Sequence, residues 1–297
     1  MFRSLATSSI KKLATTATVR SAVRPQAIRT FSAVPASTAS SVAGVGGNMI
    51  TALTEENPHV NAVRYTHKNR LWTMKHVEYY AEAHAIGFLE TGLQAGDVVL
   101  SWLPAHFQES MVLQFACSKS GLIMYNLDPA LAMDDEKAAE VALREALTLT
   151  KANVFISQEA GDDVNYTRIA HRVIPELEVQ DMLLGQPFLT PRFPHLRFCI
   201  HSGHDNDGLE GWYRIQDFVI PGDEEHDSLQ SELDEDGVVI TPDTPLMGQL
   251  ELNAQGIPVG LGKTLTNQQV LDSKVWPTYS KILEKEFHVV EGTGVVF

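Results

Sequence analysis

The sequence predicts an α/β fold in which β-α-β units form a mainly parallel sheet flanked by helices. Three observations predict it. Between Gly96 and Asn126, a turn at Gly96-Asp97, a strand-like run at 98–103 (VVLSWL), a helical face spaced as Phe107, Met111, Phe115 and Ser118, and a second strand-like run at 122–126 (LIMYN) follow one another. That order closes a β-α-β unit, whose crossover is right-handed and sets its two strands parallel. The alternation then repeats: Lys137 to Thr150 is helical by the spacing of Val141, Leu143 and Leu147, Val154 to Ile156 is a buried strand, Val164 to Leu177 a further helix and Leu196 to His201 a further strand. Finally, 44% of the residues are apolar, enough for a sizeable core, while no uncharged apolar run reaches the roughly 18 residues of a spanning helix.

In chain order, Val60 to Tyr65 alternates as an edge strand does, and Leu71-Trp72 continues as a second strand after a turn at Lys68-Asn69. Thr73 is placed to cap a helix whose buried face is Val77, Ala81, Ala85 and Phe88, with Gly92 as the residue that ends it. Cys117 and Cys199 sit inside apolar stretches, where free buried thiols are expected rather than a disulfide framework. Helical spacing assigns Met111, Phe115 and Cys117 to the core.

Charge is unevenly distributed. From Met1 to Thr54 there is no Asp or Glu, whereas Arg3, Lys11, Lys12, Arg20, Arg24 and Arg29 lie among Ser, Thr and Ala residues. This is the composition of a mitochondrial presequence, with Phe2, Leu5 and Ile10 to Leu13 as the apolar side of an amphipathic helix and Arg29 to Ser32 as a processing site. A basic arm for nucleic acid and a plastid leader are the alternatives. The expected organisation is a presequence at 1–32, a flexible linker at 33–50 rich in small residues, and a folded region at 51–297. The whole chain carries a net charge of −14, and loss of the six basic residues would make the remainder more acidic still. Such a body excludes general binding to nucleic acid or anionic membrane. Asp223 to Asp236 holds eight acids and no Lys or Arg, in an acidic loop at 221–237 that reads as a solvated loop or a docking strip for a basic partner. The cluster His201-Ser-Gly-His204-Asp-Asn-Asp207 has metal-ligand residue types, but its spacing fits a polar turn after a strand better than a structural zinc pattern. No metal ligand and no catalytic residue is assigned.

The run from Arg70 to Pro129 resembles the N-terminal domain of AMP-forming acyl-CoA synthetases in the adenylate-forming superfamily. The features that carry the resemblance are the Thr73-started helix, the turn from Gly92 to Gly96-Asp97, Leu103-Pro104 after a strand, the helix end Lys119-Ser-Gly121, and the strand ending at Asn126 to Pro129. It extends more weakly through Leu143 to Ser157 and through the stretch FPHLRFCIHSG, 193–203. The resemblance implies that the folded region is a partial AMP-binding domain. The chain ends at Phe297, and nothing in its last residues (EFHVVEGTGVVF) is similar to the family's later segments, which carry the catalytic lysine.

The stretch from Gln249 to Thr266, QLELNAQGIPVGLGKTLT, decides the functional expectation. Gly262-Lys263-Thr264 imitates the tail of a Walker loop, but the first glycine would fall on Ile257, and Pro258 removes one donor. In the resembled family the signature here is Thr-Ser-Gly-Thr-Thr-Gly-x-Pro-Lys-Gly, preceded by Gln and followed by Leu-Thr-His. Gln249, Gly256, Pro258 and Gly260 fit it, as do Leu265 and Thr266 after a short insertion. Its hydroxyl and glycine positions fall on Glu251, Leu252, Asn253, Ala254 and Gln255, and its lysine on Val259, with Lys263 shifted out of register. Gln249, Gly256, Pro258, Gly260 and Thr266 are therefore expected to form a residual nucleotide loop. The implied reading is a non-catalytic relative serving as an accessory subunit beside other mitochondrial proteins, with no cofactor expected. An ATP-, AMP- and magnesium-using acid-thiol ligase is the alternative, and a binding remnant that holds acyl chain or nucleotide without chemistry is a third.

Overall fold

A computed structural model describes residues 61–65, 70–104, 107–159, 164–180, 188–203, 209–222, 237–272 and 288–289, with single positions 54, 59, 229, 233 and 234, all within Ala36–Phe297. The segments expected as presequence and linker, the turn at Lys68-Asn69, His204 to Asp207 and most of the acidic stretch lie outside the described residues.

A seven-stranded sheet carries the architecture. Its strands are β3 (Val98–Trp102), β4 (Ile123–Asn126), β5 (Val154–Ser157), β6 (Phe198–His201), β7 (Tyr213–Arg214), β8 (Pro245–Leu252) and β9 (Pro258–Thr266). They lie in the order β7-β6-β5-β3-β4-β8-β9, parallel throughout except for the antiparallel pair β8-β9. From β3 the chain steps to β4 on one side and later returns through β5, β6 and β7 on the other. A smaller sheet in the order β10-β1-β2 joins β1 (Asn61–Tyr65), β2 (Arg70–Thr73) and β10 (His288–Val289).

The four-residue parallel strands have no solvated face, which is why they read as apolar runs rather than alternations. Val99, Met124, Val154, Ile156 and Ile200 point to one face of the sheet, where α1 (Met74–Glu90) and α2 (Gln108–Ser120) pack. Leu100, Trp102, Tyr125, Phe155 and Cys199 point to the other, beneath α4 (Glu136–Thr150) and α5 (Tyr166–Val173). A short helix, α3 (Leu131–Asp134), leads into α4. Both cysteines are free and buried.

Thr73 precedes α1, and its backbone N–H donates to His76 Nδ1 at 3.1 Å. Val77, Ala81, Ala85 and Phe88 are all fully buried. Gly92 (φ 78°) and Gly121 (φ 75°) take the left-handed conformation after α1 and α2 that glycine adopts most cheaply. In α4, Leu143 and Leu147 are buried but Val141 is 38% exposed; alanines 139, 142 and 146 complete the inward face instead. The helix expected over Val164 to Leu177 is interrupted. Ile174, held out of the helical region (φ −125°, ψ 71°) by the following Pro175, ends α5, and Pro175–Val179 is a 3₁₀ turn. Within the acidic stretch, Leu229 and Leu233 are buried in the α1–α2 core cluster.

The largest departure from expectation is at 249–266. Rather than a loop, most of it is a hairpin, with β8 reaching Leu252 and β9 starting at Pro258. Its glycines and single hydroxyls gave no alternation to read; pairing along β8 makes it strand.

Candidate functional site

In a parallel sheet the carboxyl ends of the strands are the usual ligand edge. Here Trp102, Asn126, Ser157 and His201 end their strands there, and β8 passes beyond it. β4 pairs with β8 only at Met124↔Met247 and Tyr125↔Gly248. The remainder of β8 and the first half of β9 therefore project past β4 as a two-stranded ribbon. The crossing point is tight: a Cβ on Gly248 would overlap the Tyr125 ring. Only glycine lets β8 lie this close to the aromatic face.

The ribbon and the end of β4 enclose an open groove of about 720 Å³, lined by Asn126, Gln249, Glu251, Leu252, Gly262 and Lys263 among others. Gln249 and Lys263 are exposed on it. Glu251 pairs across the ribbon with Gly260, and its Oε2 lies 3.1 Å from where a Gly260 Cβ would sit. Its Cγ lies 3.6 Å from the equivalent position of Gly262. The Glu251 side chain thus lies along the glycine track of β9.

At the tip, Asn253 closes the turn on itself. Its Oδ1 accepts the backbone N–H of Gln255 (2.9 Å) and of Ile257 (3.0 Å). Its carbonyl accepts from Gly256 N–H at 3.0 Å, and its own N–H donates to the Ile257 carbonyl at 2.9 Å. An anion-binding loop needs such N–H groups to converge outward on the ligand. Here those of 253, 255, 256 and 257 are spent inside the turn, and Pro258 has none. An Asx turn is a local competitor for backbone donors, and this one takes two of them.

The five residues of the expected nucleotide loop are brought into one hairpin, in differing roles. Gln249 lines the groove. Gly256 (φ 77°) supplies the left-handed corner of the tip. Pro258 is buried at the start of β9, and Gly260 underlies Glu251. Thr266 instead caps α6 (Asn267–Asp272): its N–H donates to Gln269 Oε1 at 3.2 Å and its Oγ1 accepts from Gln269 N–H at 3.3 Å, a reciprocal capping box. The next residue, Asn267, is buried, accepting from Ser118 Oγ at 2.8 Å and donating to the Thr241 carbonyl at 3.1 Å. The hairpin's exit is fixed to α2 by this contact. Sequence reasoning did not assign the turn-closing role to Asn253, nor Tyr125 to the β8 crossing and Asn126 to the groove. Asn253 was legible in principle, since an Asn three residues before a Gly is a turn signal.

His201, grouped with potential ligands by its sequence, is fully buried in β6, with Nδ1 accepting from Gly203 N–H at 3.1 Å. Among the described residues no three His, Cys, Asp or Glu side chains converge as a metal site. No helix among them is long and apolar enough to cross a membrane.

No family model matches the sequence. A putative acyl-CoA synthetase of Bacillus subtilis is 26% identical over 197 residues, 65% of this chain and 34% of the relative. A mitochondrial medium-chain acyl-CoA ligase of Danio rerio is 24% identical over 198 residues, 66% of this chain and 30% of the relative. The chain thus spans about a third of the length of the curated relatives it matches. Among solved structures, a Mycobacterium tuberculosis fatty acyl-CoA synthetase matches with a TM-score of 0.53 at 15% identity, over 84% of this chain and 45% of that one. The luciferase-like enzyme of the mealworm Zophobas morio matches with a TM-score of 0.56 at 13% identity, over 84% and 54%. The fold is that of the N-terminal part of adenylate-forming enzymes, and the sequence neighbours are acyl-CoA synthetases over about two thirds of the chain.

Proposed function

We propose that this chain is a non-catalytic member of the acyl-CoA synthetase lineage, retained for its fold as a structural or accessory subunit of a larger mitochondrial assembly. One observation carries the reading: where a phosphate would have to be cradled, the turn donors are bonded to Asn253 and Ile257, and the Glu251 carboxylate lies along the glycine track. A like charge brought to about 4 Å of that carboxylate costs roughly 1 to 4 kcal/mol for each phosphate charge, between water-like and surface-like dielectric. Val259, at the position of the family's loop lysine, is 61% exposed and offers no cation to offset this.

The mitochondrial part of the proposal is supported by the acid-free, basic first 54 residues and by the mitochondrial location of the Danio rerio relative. The partners proposed are other proteins. The acidic charge balance disfavours nucleic acid.

A second reading, an AMP-forming acid-thiol ligase, has one observation in its favour: Lys263 lines the groove beside Gln249 and Glu251, from which it could reach an anion. Exchange of labelled pyrophosphate into ATP, with the 297-residue chain, magnesium and a panel of medium- and long-chain fatty acids, tests the two. The proposal expects no exchange above background with any acid. Acid-dependent exchange establishes the ligase and removes the proposal. For the accessory role, native-gel fractionation of mitochondria is expected to place the chain in a high-mass complex; recovery solely as free monomer counts against it.

A further inference from the structure

Away from the ribbon, residues 209–220 cross the opposite edge of the sheet and tie the two helix layers together. At one end Trp212, fully buried, lies among Phe155, His171 and His201 in the α4–α5 layer. At the other, Phe218 packs on Phe88 in the α1–α2 layer, and Ile220 N–H donates to the Ala83 carbonyl at 3.1 Å. Between them the segment pairs with the sheet backbone through β7, two residues opposite Ile200 and His201, and the Phe198 ring of β6 packs against Tyr213 and Phe218.

A histidine holds each end, half-buried His171 at one and buried His84 at the other. Trp212 Nε1 donates to His171 Nε2 at 2.7 Å. An indole N–H can only donate, so His171 Nε2 must be unprotonated and its ring neutral. In the other layer, the buried His84 ring bonds the backbone at Phe218, while its Nδ1 has no partner. A neutral ring satisfies that arrangement with one N–H; an imidazolium would bury a second N–H facing no acceptor. The chain is tight where it enters: Gly211 (φ 73°) passes the 3₁₀ turn so closely that a Cβ would lie 2.6 Å from the Leu177 carbonyl oxygen.

We propose that residues 209–220 are an acid-released strap: protonation of His171 and His84 expels Trp212 and loosens Phe218, leaving β6 as a bare sheet edge. Glu178 of the 3₁₀ turn and Glu210 of the strap face His171 and favour its protonation, but burial outweighs them and holds its pKa below the usual histidine value. On its own helix, Arg168 and Arg172 are engaged by Glu136 and Glu140 of α4. His201 lies beyond Trp212, at 6.3 Å between rings. Between α1 and α2, Lys119 is bonded to Glu82 at 2.8 Å with Glu78 at 3.9 Å, and in the strap Arg214 is paired to Asp217 at 2.6 Å. Burial pulls His84 down to about 4, against the smaller effect of its bond to Phe218. Both imidazoles therefore resist charging while the strap is closed and charge readily once it opens.

The test is ¹⁹F NMR of the full chain with 5-fluorotryptophan at its four tryptophans, the Trp212 signal being assigned through W212F. Lowering the pH from about 7.5 to about 4.5 is expected to move the Trp212 signal to a solvent-exposed position before that of Trp102, which lies inside the sheet on β3. H171Q, whose amide oxygen can accept the indole N–H without titrating, is expected to shift the Trp212 midpoint to lower pH. The proposal is overturned by a Trp212 signal that stays in place over this range, by Trp212 and Trp102 moving together at one midpoint, or by an unchanged midpoint in H171Q.

Discussion

Asn253 and Glu251 act together at the ribbon, and their separate removal distinguishes geometry from charge. Glu251→Gln takes away the repelling carboxylate but leaves the turn donors bonded to Asn253 and Ile257. It is expected to leave ATP binding undetectable in a calorimetric titration; a micromolar affinity would mean that the carboxylate alone was the obstacle. Asn253→Ala removes an acceptor for two backbone N–H groups at an exposed tip, and should lower stability by about 1 to 2 kcal/mol in urea unfolding. His84 sets a pH dependence of stability. Its folded-state value of about 4 lies below the ordinary 6.5, so the folded protein binds fewer protons than the unfolded chain between these limits. Its contribution is therefore fully present above pH 6.5 and is lost as the pH falls towards 4, amounting to about 3 kcal/mol at one shifted unit per 1.36 kcal/mol. Chemical unfolding at a series of pH values reads the slope, and His84→Gln should flatten it.

At the scale of elements, legibility followed the physics of each segment. The helix α1, the α2 crossover and strands β3 and β4 were readable because one burial pattern produced each: a 3.6-residue stripe or a short apolar run between turn residues. The break at Ile174 was carried by Pro175 and could have been read from it, but the apolar spacing on both sides suggested one helix. The hairpin was not legible, because β9 alternates glycine with exposed side chains and is a strand by virtue of β8. That dependence is testable at Gly248. Replacing it by Ala drives a methyl group into the Tyr125 ring and is expected to cost about 1 to 3 kcal/mol, with the loss shared by β4, β8 and β9 in hydrogen exchange. Equal protection in mutant and wild type would show that the ribbon does not depend on this contact. By contrast, Asp135→Ala at the start of α4, where the carboxylate accepts from Lys137 and Ala138 N–H, should cost about 1 kcal/mol without touching the ribbon.

Across the whole molecule, the scaffold and the groove tell different stories. Two helix layers on a seven-stranded sheet are kept in the arrangement of the adenylate-forming enzymes, with core side chains fully buried on both faces. At the carboxyl edge, the positions expected to shape the backbone, Gly256, Pro258 and Gly260, serve a closed hairpin, and Thr266 serves a helix cap. On the function proposed above, the positions expected to touch phosphate carry a carboxylate, an asparagine that closes the turn and an exposed valine. The proposed accessory role needs the fold without a nucleotide-binding groove, whereas the alternative ligase would have to reorganise the tip before binding. The most direct measurement is isothermal titration of the 297-residue chain with ATP and with AMP, each with magnesium, at pH 7.5. The account predicts no saturable heat for either nucleotide up to millimolar concentration; a stoichiometric isotherm with a micromolar Kd would contradict it.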